Sequence, residues 1–461
     1  MNKNIIHSEE WRNFDVTIKN NQFLDEQTIK NAKKRIEKIR KRKIEITLFS
    51  PEKKQLPNKE VKIIQKSHHF LFGDQLWKLD RFSRFNQWNT DRAFYFRERF
   101  KEIFNAANAL CYWTEAPRND GPKIEDFQGR NITEHFENCV NWANSQKLTV
   151  KGHPLFWSID KCVPSWLEKY DYKTKLKFAE VRVRNLVARF STQINIWDAV
   201  NEALWEPVFK NLSQRHWPHI EKISDIADMV SDVLTWCKEE NPDATFLIND
   251  YGLEQDPESG APRTKNGSRV TAEFQRKRFI KLIDELKKRG FKPDAIGLQS
   301  HSGKGWISPY IQNAVFDELS KAKIPLHVTE FWAHTDHIKD IDQEKVYEMQ
   351  AEYVKKILTV AFGHPAVEAF FFWGFIDDAT IWDNYSGHKL KPLFNEIKNL
   401  IHKEWNSSEN LVTDSNGKII SSVFHGAYSL RLKEGKLENG YEFYVVPDEN
   451  SQIQKINIYL K

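Results

Sequence analysis

An α/β fold, a (β/α)8 TIM barrel carrying a small accessory β-sandwich-like domain, is what this sequence predicts, on three observations. Short apolar runs alternate with longer amphipathic stretches from residue 68 to residue 406. Eight such runs occur over roughly 340 residues, the length of a closed parallel barrel. No glycine-rich dinucleotide fingerprint follows the first run, which speaks against an open doubly wound sheet.

The candidate strands are HHFLFG (68–73), NALCYW (108–113), LTVKGHPLFW (148–157), INIWDAVNE (194–202), TFLIND (245–250), AIGLQSH (295–301), PLHVTE (325–330) and AFFFWGF (369–375). Between them lie helix-period segments, among them 132–146, 178–190, 223–240, 271–290 and 342–362, and a last one at 392–405. Strand then helix, repeated, is the pattern of a parallel sheet wrapped by helices. The flanks read differently. KIEITLFSPEKKQLPNKEVKIIQKS (43–67) predicts two strands around a proline-containing turn, and after residue 410 strand patterns follow one another without a helix. The expected division is 1–67 as an N-terminal helix and strand flank, 68–406 as the barrel, and 407–461 as a strand-rich segment. The two flanks are expected to pair into one sandwich, because chain termini often lie close together.

Composition excludes several classes. Hydrophobic residues make up 40% and charged residues 29%, enough apolar material for a packed core. No apolar run approaches the roughly 18 residues of a membrane span. The start, MNKNIIHSEEW, lacks a secretory signal pattern. The expectation is therefore a cytoplasmic protein, or a secreted or periplasmic one whose signal is missing from this sequence. The four cysteines, Cys111, Cys139, Cys162 and Cys237, form no CxxC pair and suggest neither a zinc site nor a disulfide framework. Residues 30–43, KNAKKRIEKIRKRK, carry nine basic groups and one acidic; their +8 against +5 for the whole chain leaves −3 elsewhere. Such a local run predicts the solvated face of a helix and argues against a nucleic-acid partner.

NIWDAVNEALW (195–205) is the informative stretch. It is apolar like a buried strand, yet it contains Asp198 and runs into Asn201 and Glu202. In a barrel, the C-terminal strand ends form the active face. Those ends carry His153 and Trp157, Asn201 and Glu202, Asn249, Asp250 and Tyr251, Gln299 and His301, Glu330 and Trp332, then Trp373, with Trp382 just beyond. Glu202 and Glu330 close the fourth and seventh strands, which face each other across a barrel mouth. A facing carboxylate pair is the equipment of glycoside hydrolysis. Histidines and amides beside it bind hydroxyls and fix charge states, and tryptophans offer flat faces to sugar rings. The candidate catalytic residues are therefore Glu202 and Glu330. The candidate substrate-binding residues are His153, Trp157, Asn201, Tyr251, Gln299, His301, Trp373 and Trp382. No HExxH or carboxylate-rich ligand cluster occurs, so neither a metal nor a cofactor is expected.

GHPLFW, WDAVNEA, NDY, IGLQSH, VTE and WGF, in this order, resemble glycoside hydrolase family 10, the family of endo-β-1,4-xylanases, over roughly residues 70–405. The resemblance implies a retaining mechanism with Glu202 as general acid/base and Glu330 as nucleophile. It implies that Asn201 binds the 2-hydroxyl of the sugar, that His301 supports Glu330, and that His153, Gln299 and Trp373 line the same subsite. This is a divergent member with β-rich flanks. Where the family has an ENxMKW-like segment the chain has NALCYW, with Tyr112 in place of the lysine. Ser158 replaces a histidine, Cys162 a glutamine, and Trp332 the aspartate of TExD. Glu115 and Arg118 are candidates to substitute on the glycone side, and segments 249–268 and 379–392 are candidate cleft walls. The expected activity is cleavage of β-1,4-linked glycan, xylan first, by a monomer with no membrane partner. The alternatives are the same chemistry on another or a decorated β-glycoside or oligosaccharide, and a non-catalytic carbohydrate-binding barrel.

Overall fold

Runs such as IWDAVN and LHVTEF are buried at all six positions. Only a sheet covered on both faces accommodates that, and a parallel sheet wrapped by helices is such a sheet. The computed structural model describes residues 22–114, 121–126, 128–159, 162–205, 222–256, 270–301, 305–375, 389–433, 440–447 and 452–460. In chain order the strands are β1 (Lys41–Phe49), β2 (Glu60–His68), β3 (Leu71–Gln75), β4 (Ala106–Leu110), β5 (Thr149–His153), β6 (Phe156–Trp157), β7 (Ile196–Asn201), β8 (Thr245–Asp250), β9 (Ala295–Leu298), β10 (Leu326–Phe331) and β11 (Val367–Phe372). Five more follow: β12 (Glu409–Val412), β13 (Lys418–Phe424), β14 (Gly426–Leu432), β15 (Tyr441–Val445) and β16 (Gln454–Tyr459).

Strands β3, β4, β5, β7, β8, β9, β10 and β11 pair in parallel, and β11 returns to β3 to close the barrel. The eight strands match the eight apolar runs of the sequence. One run divides: LTVKGHPLFW becomes β5 and the two-residue β6, because Pro154 has no N–H to continue the ladder. Helices 223–240, 272–288 and 343–362 lie where the periodicity puts them. The segment expected as one helix at 392–405 is α-helical at Pro392–Asn399 and then widens into a π turn at Leu400–Glu404.

Around the barrel base, the flanks make two sheets, ordered β13-β1-β16 and β12-β2-β14-β15. Each takes one N-terminal strand and fills its other places from the C-terminal segment. Ile44, Ile46, Val61, Ile63, Val423 and Leu430 form a common core between them, separate from that of the barrel.

The basic stretch 30–43 corrects one expectation. It is not a single solvated helix face, since the helix ends at Ile39 and β1 begins at Lys41. Two of its arginines are anchors. Arg40 donates to the carbonyls of Phe362, His364 and Val367 at 2.5–2.8 Å, and Arg35 to that of Gly363 at 2.7 Å. They satisfy acceptors at the C-terminal end of helix Gln343–Phe362, where a cation also complements the helix dipole.

Candidate active site

The strand ends converge as the parallel barrel requires. Glu202 follows β7 with a left-handed backbone, φ 57°, and its amide donates to the Asn249 carbonyl at 2.8 Å. A non-glycine residue in that region is strained and persists only when its surroundings fix it. Here they do. Trp157 Nε1 donates to Glu202 Oε2 at 2.8 Å and Gln299 Nε2 to Oε1 at 2.9 Å. Glu330, in β10, receives Asn249 Nδ2 at 2.8 Å on Oε1 and His301 Nε2 at 3.1 Å on Oε2.

Three amides connect these carboxylates. Gln299 Nε2 reaches Asn201 Oδ1 at 3.4 Å as well as Glu202, and Asn249 Nδ2 reaches the same oxygen at 2.7 Å as well as Glu330. Thr329 Oγ1 donates to Asn249 Oδ1 at 2.6 Å and fixes which way that amide faces. The seat of Asn249 depends on Gly297 in the neighbouring strand. A Cβ there would lie 2.4 Å from Asn249 Oδ1.

The electrostatics differ around the site. Burial opposes charge on Glu330, but His153, with Nδ1 3.9 Å from Oε1, and the His301 hydrogen bond hold its carboxyl below the ordinary range. Burial pushes Asp250 well above that range, and the charge of Glu202 adds to the effect. Asp250 accepts the amides of Leu204 and Tyr251 at 3.1 and 3.0 Å. Beneath the mouth, Asp198 Oδ2 accepts His153 Nδ1 at 2.7 Å and pairs with the Lys151 ammonium.

The aromatic candidates take different places. Trp373 meets His153 and His301 edge-on, at ring separations of 5.3 and 6.2 Å. Trp157 spends its N–H on Glu202. Tyr251 stacks on Trp205 at 4.8 Å and accepts its indole N–H. Trp382, Glu115, Arg118 and most of the two candidate walls lie outside the described residues. Of the other candidates, Glu202, Glu330, His153, Trp157, Asn201, Gln299, His301 and Trp373 form one cluster. Tyr112 belongs with them. It is buried edge-on against Trp77, His153 and Trp157, at 6.0, 6.1 and 5.5 Å.

Three contributors stand outside the candidates drawn from the sequence: Asn249, Asp198 and Lys151. Asn249 was visible only as one strand-end polar residue, although its Nδ2 links Glu330 to Asn201 and so to the partners of Glu202. Lys151 and Asp198 are charged positions inside apolar strands, a signal that was noted for Asp198 and would have found Lys151. Among the described residues no group of three or more potential ligands could hold a metal ion. None of the described helices is long and apolar enough to cross a membrane. All four cysteines are free and buried.

A closed barrel with a carboxylate pair in its mouth, embedded in amides, imidazoles and indoles, defines the class of glycoside hydrolases. The model of glycosyl hydrolase family 10 matches residues 121–403, and the chain belongs to that family. Relatives include the anti-sigma-I factor RsgI6 of Acetivibrio thermocellus, 24% identical over 88% of this chain and 47% of that protein. Endo-1,4-beta-xylanase 2 of Arabidopsis thaliana is 24% identical over 91% of this chain and 35% of its own length. The chain thus spans less than half of either protein. Xylanase 10B of Thermotoga petrophila RKU-1, solved in complex with xylobiose, shares the fold at TM-score 0.56 and 21% identity, over 73% of this chain and 95% of that one.

Proposed function

We propose that the chain is a retaining glycoside hydrolase that cleaves β-1,4-linked glycan, xylan first, as an endo-1,4-β-xylanase. The observation that carries this reading is the amide relay, which ties Glu202 and Glu330 into one network while giving each its own partners. Glu330, held ionised, attacks the anomeric carbon as Glu202 protonates the departing oxygen. A water deprotonated by Glu202 then displaces Glu330, and two inversions restore the configuration. Such chemistry needs carboxyl groups about 5–5.5 Å apart. Asn201, its Oδ1 already occupied, presents Nδ2 to the sugar 2-hydroxyl. His153, Gln299, His301 and Trp373 complete the wall of that subsite. Tyr112, Ser158, Cys162 and Trp332 stand where the family has other groups, so a decorated or different β-glycoside is a second substrate class.

A reading from another class is a carbohydrate-binding barrel without turnover. One relative of this length of match is named an anti-sigma-I factor and not a glycan-cleaving enzyme, which gives this reading its support. Product analysis separates the readings. Wild type and Glu330→Gln are incubated with xylan, mixed-linkage glucan, mannan and an aryl β-xyloside. Xylo-oligosaccharides released by wild type alone support the main reading. Turnover of the aryl glycoside without cleavage of xylan supports the other substrate class. Binding of xylo-oligosaccharide without any turnover supports the non-catalytic binding barrel.

A further inference from the structure

Below the carboxylate pair, the barrel interior holds a polar layer that substrate does not reach. Lys151 and Asp198 are both fully buried and paired, and the Lys151 ammonium also sits 5.6 Å from the Phe371 ring centroid. Asp198 Oδ2 carries two donors at once, the Lys151 ammonium and His153 Nδ1 at 2.7 Å. The same His153 nitrogen is 3.9 Å from Glu330 Oε1. A buried cation, a buried carboxylate and an imidazole therefore run in line to the proposed nucleophile.

An orienting carboxylate this close to Glu330 creates a problem. Like charges in a buried site disfavour each other, so Asp198 alone would work against an ionised Glu330. Lys151 removes the difficulty, because a paired carboxylate still accepts a hydrogen bond while its field is largely cancelled. We propose that Lys151 is a positioning residue: it neutralises Asp198 so that Asp198 orients His153 against Glu330 without placing an uncompensated negative charge beneath the nucleophile. The inference rests on the reading of Glu330 as nucleophile.

The other charged or titratable groups near Glu330 are Tyr112 just past β4, Glu202 after β7 and His301 after β9; Asp250, at the end of β8, acts on Glu202, and His327, on the strand of Glu330, lies in the field of Lys151 and Asp198. Among the described residues, none of these makes an ion pair with Asp198. Lys151 is the cation in direct contact with it, and burial of both partners leaves water little part in the screening.

The test is kcat/KM against pH on an aryl β-glycoside with a good leaving group, whose acidic limb reports ionisation of the nucleophile. Lys151→Met is expected to move that limb upward by about one pH unit and to lower kcat more than it raises KM. In the double variant Lys151→Met/Asp198→Asn both charges are gone, while the new amide oxygen still accepts from His153. Its acidic limb is expected back at the wild-type position. A Lys151→Met limb that coincides with wild type overturns the proposal, as does a double variant displaced as far as the single one. If Lys151→Met does not fold, the double variant decides alone: a wild-type limb supports the proposal and a displaced limb overturns it. Glu330→Gln on the same glycoside keeps the two readings apart. Retained turnover there overturns the assignment of Glu330 and this inference with it. Lost turnover together with unmoved limbs overturns this inference only.

Discussion

Asn249 holds Glu330 directly and reaches the partners of Glu202 through Asn201, since its Nδ2 donates to both Glu330 and Asn201, whose Oδ1 also receives Gln299. Removing a preorganised donor of this kind costs about 10²–10³ in kcat. Asn249→Ala is expected to lose that much in steady-state assays, with the fold intact by circular dichroism. Gly297→Val is expected to mimic it from the next strand, because its Cβ would occupy the space of Asn249 Oδ1. Glu202→Ala should slow substrates with poor leaving groups far more than activated aryl glycosides, where acid assistance matters least. Equal losses on both substrate types would contradict an acid/base role. Of these residues, Glu202 and Glu330 were legible in the sequence, because a carboxylate at the end of an apolar strand has no packing reason to be there. Asn249 was not, because one amide among several strand-end polar groups shows no sign of which partners it will reach.

At the level of elements, strand ends and caps separate activity from stability. Glu202 and Ser300 both have left-handed backbones, at φ 57° each, where β7 and β9 run out. At Ser300 the hydroxyl donates to the buried Glu254 carboxylate, and the flanking residues Gln299 and His301 point to opposite members of the pair. Two residues apart on a continuing strand, Gln299 and His301 would share a face. They do serve one site, but the strand has ended by then, and the Ser300 turn aims each at a different carboxylate. Thr271 is a contrast. It caps helix Ala272–Lys288, accepting the Phe274 amide at 3.2 Å, far along the chain from any proposed catalytic group. Thr271→Ala is expected to lose about 1 kcal/mol of stability in urea titration and to leave kcat unchanged.

For the molecule as a whole, pH and the flanking sheets govern stability. His68 and His327 are buried as neutral rings, and burial lowers each to about 4. In the unfolded chain they titrate near 6.5. Between these values the unfolded state binds more protons, so the folded state is favoured in full above 6.5 and loses stability as pH falls toward 4. The two rings together contribute a few kcal/mol of that loss, about 3 each as an upper figure. Urea denaturation at pH 7.5 and pH 5 should show the decline, and His68→Gln should flatten it. The flanks form a second dependence. Strands β1 and β2 take all their sheet partners from residues 407–461. Deleting that segment leaves two unpaired strands with apolar faces at the barrel base, an aggregation hazard. The truncated chain is expected to be largely insoluble on expression, and a soluble, fully active barrel would show that the flanks are dispensable.

The sequence by itself determined the eight strands, their parallel arrangement and the position of the two carboxylates, because period and burial leave few ways to cover such apolar runs. It also placed the flanking strands, through their alternation. Only the tertiary structure decided which groups answer each other across the barrel: Asn249 between Asn201 and Glu330, Lys151 against Asp198, Arg40 on the carbonyls of a helix more than three hundred residues away. Those pairings depend on closure of the sheet, which sets residues distant in sequence within hydrogen-bond reach, and no local pattern of residues encodes that distance.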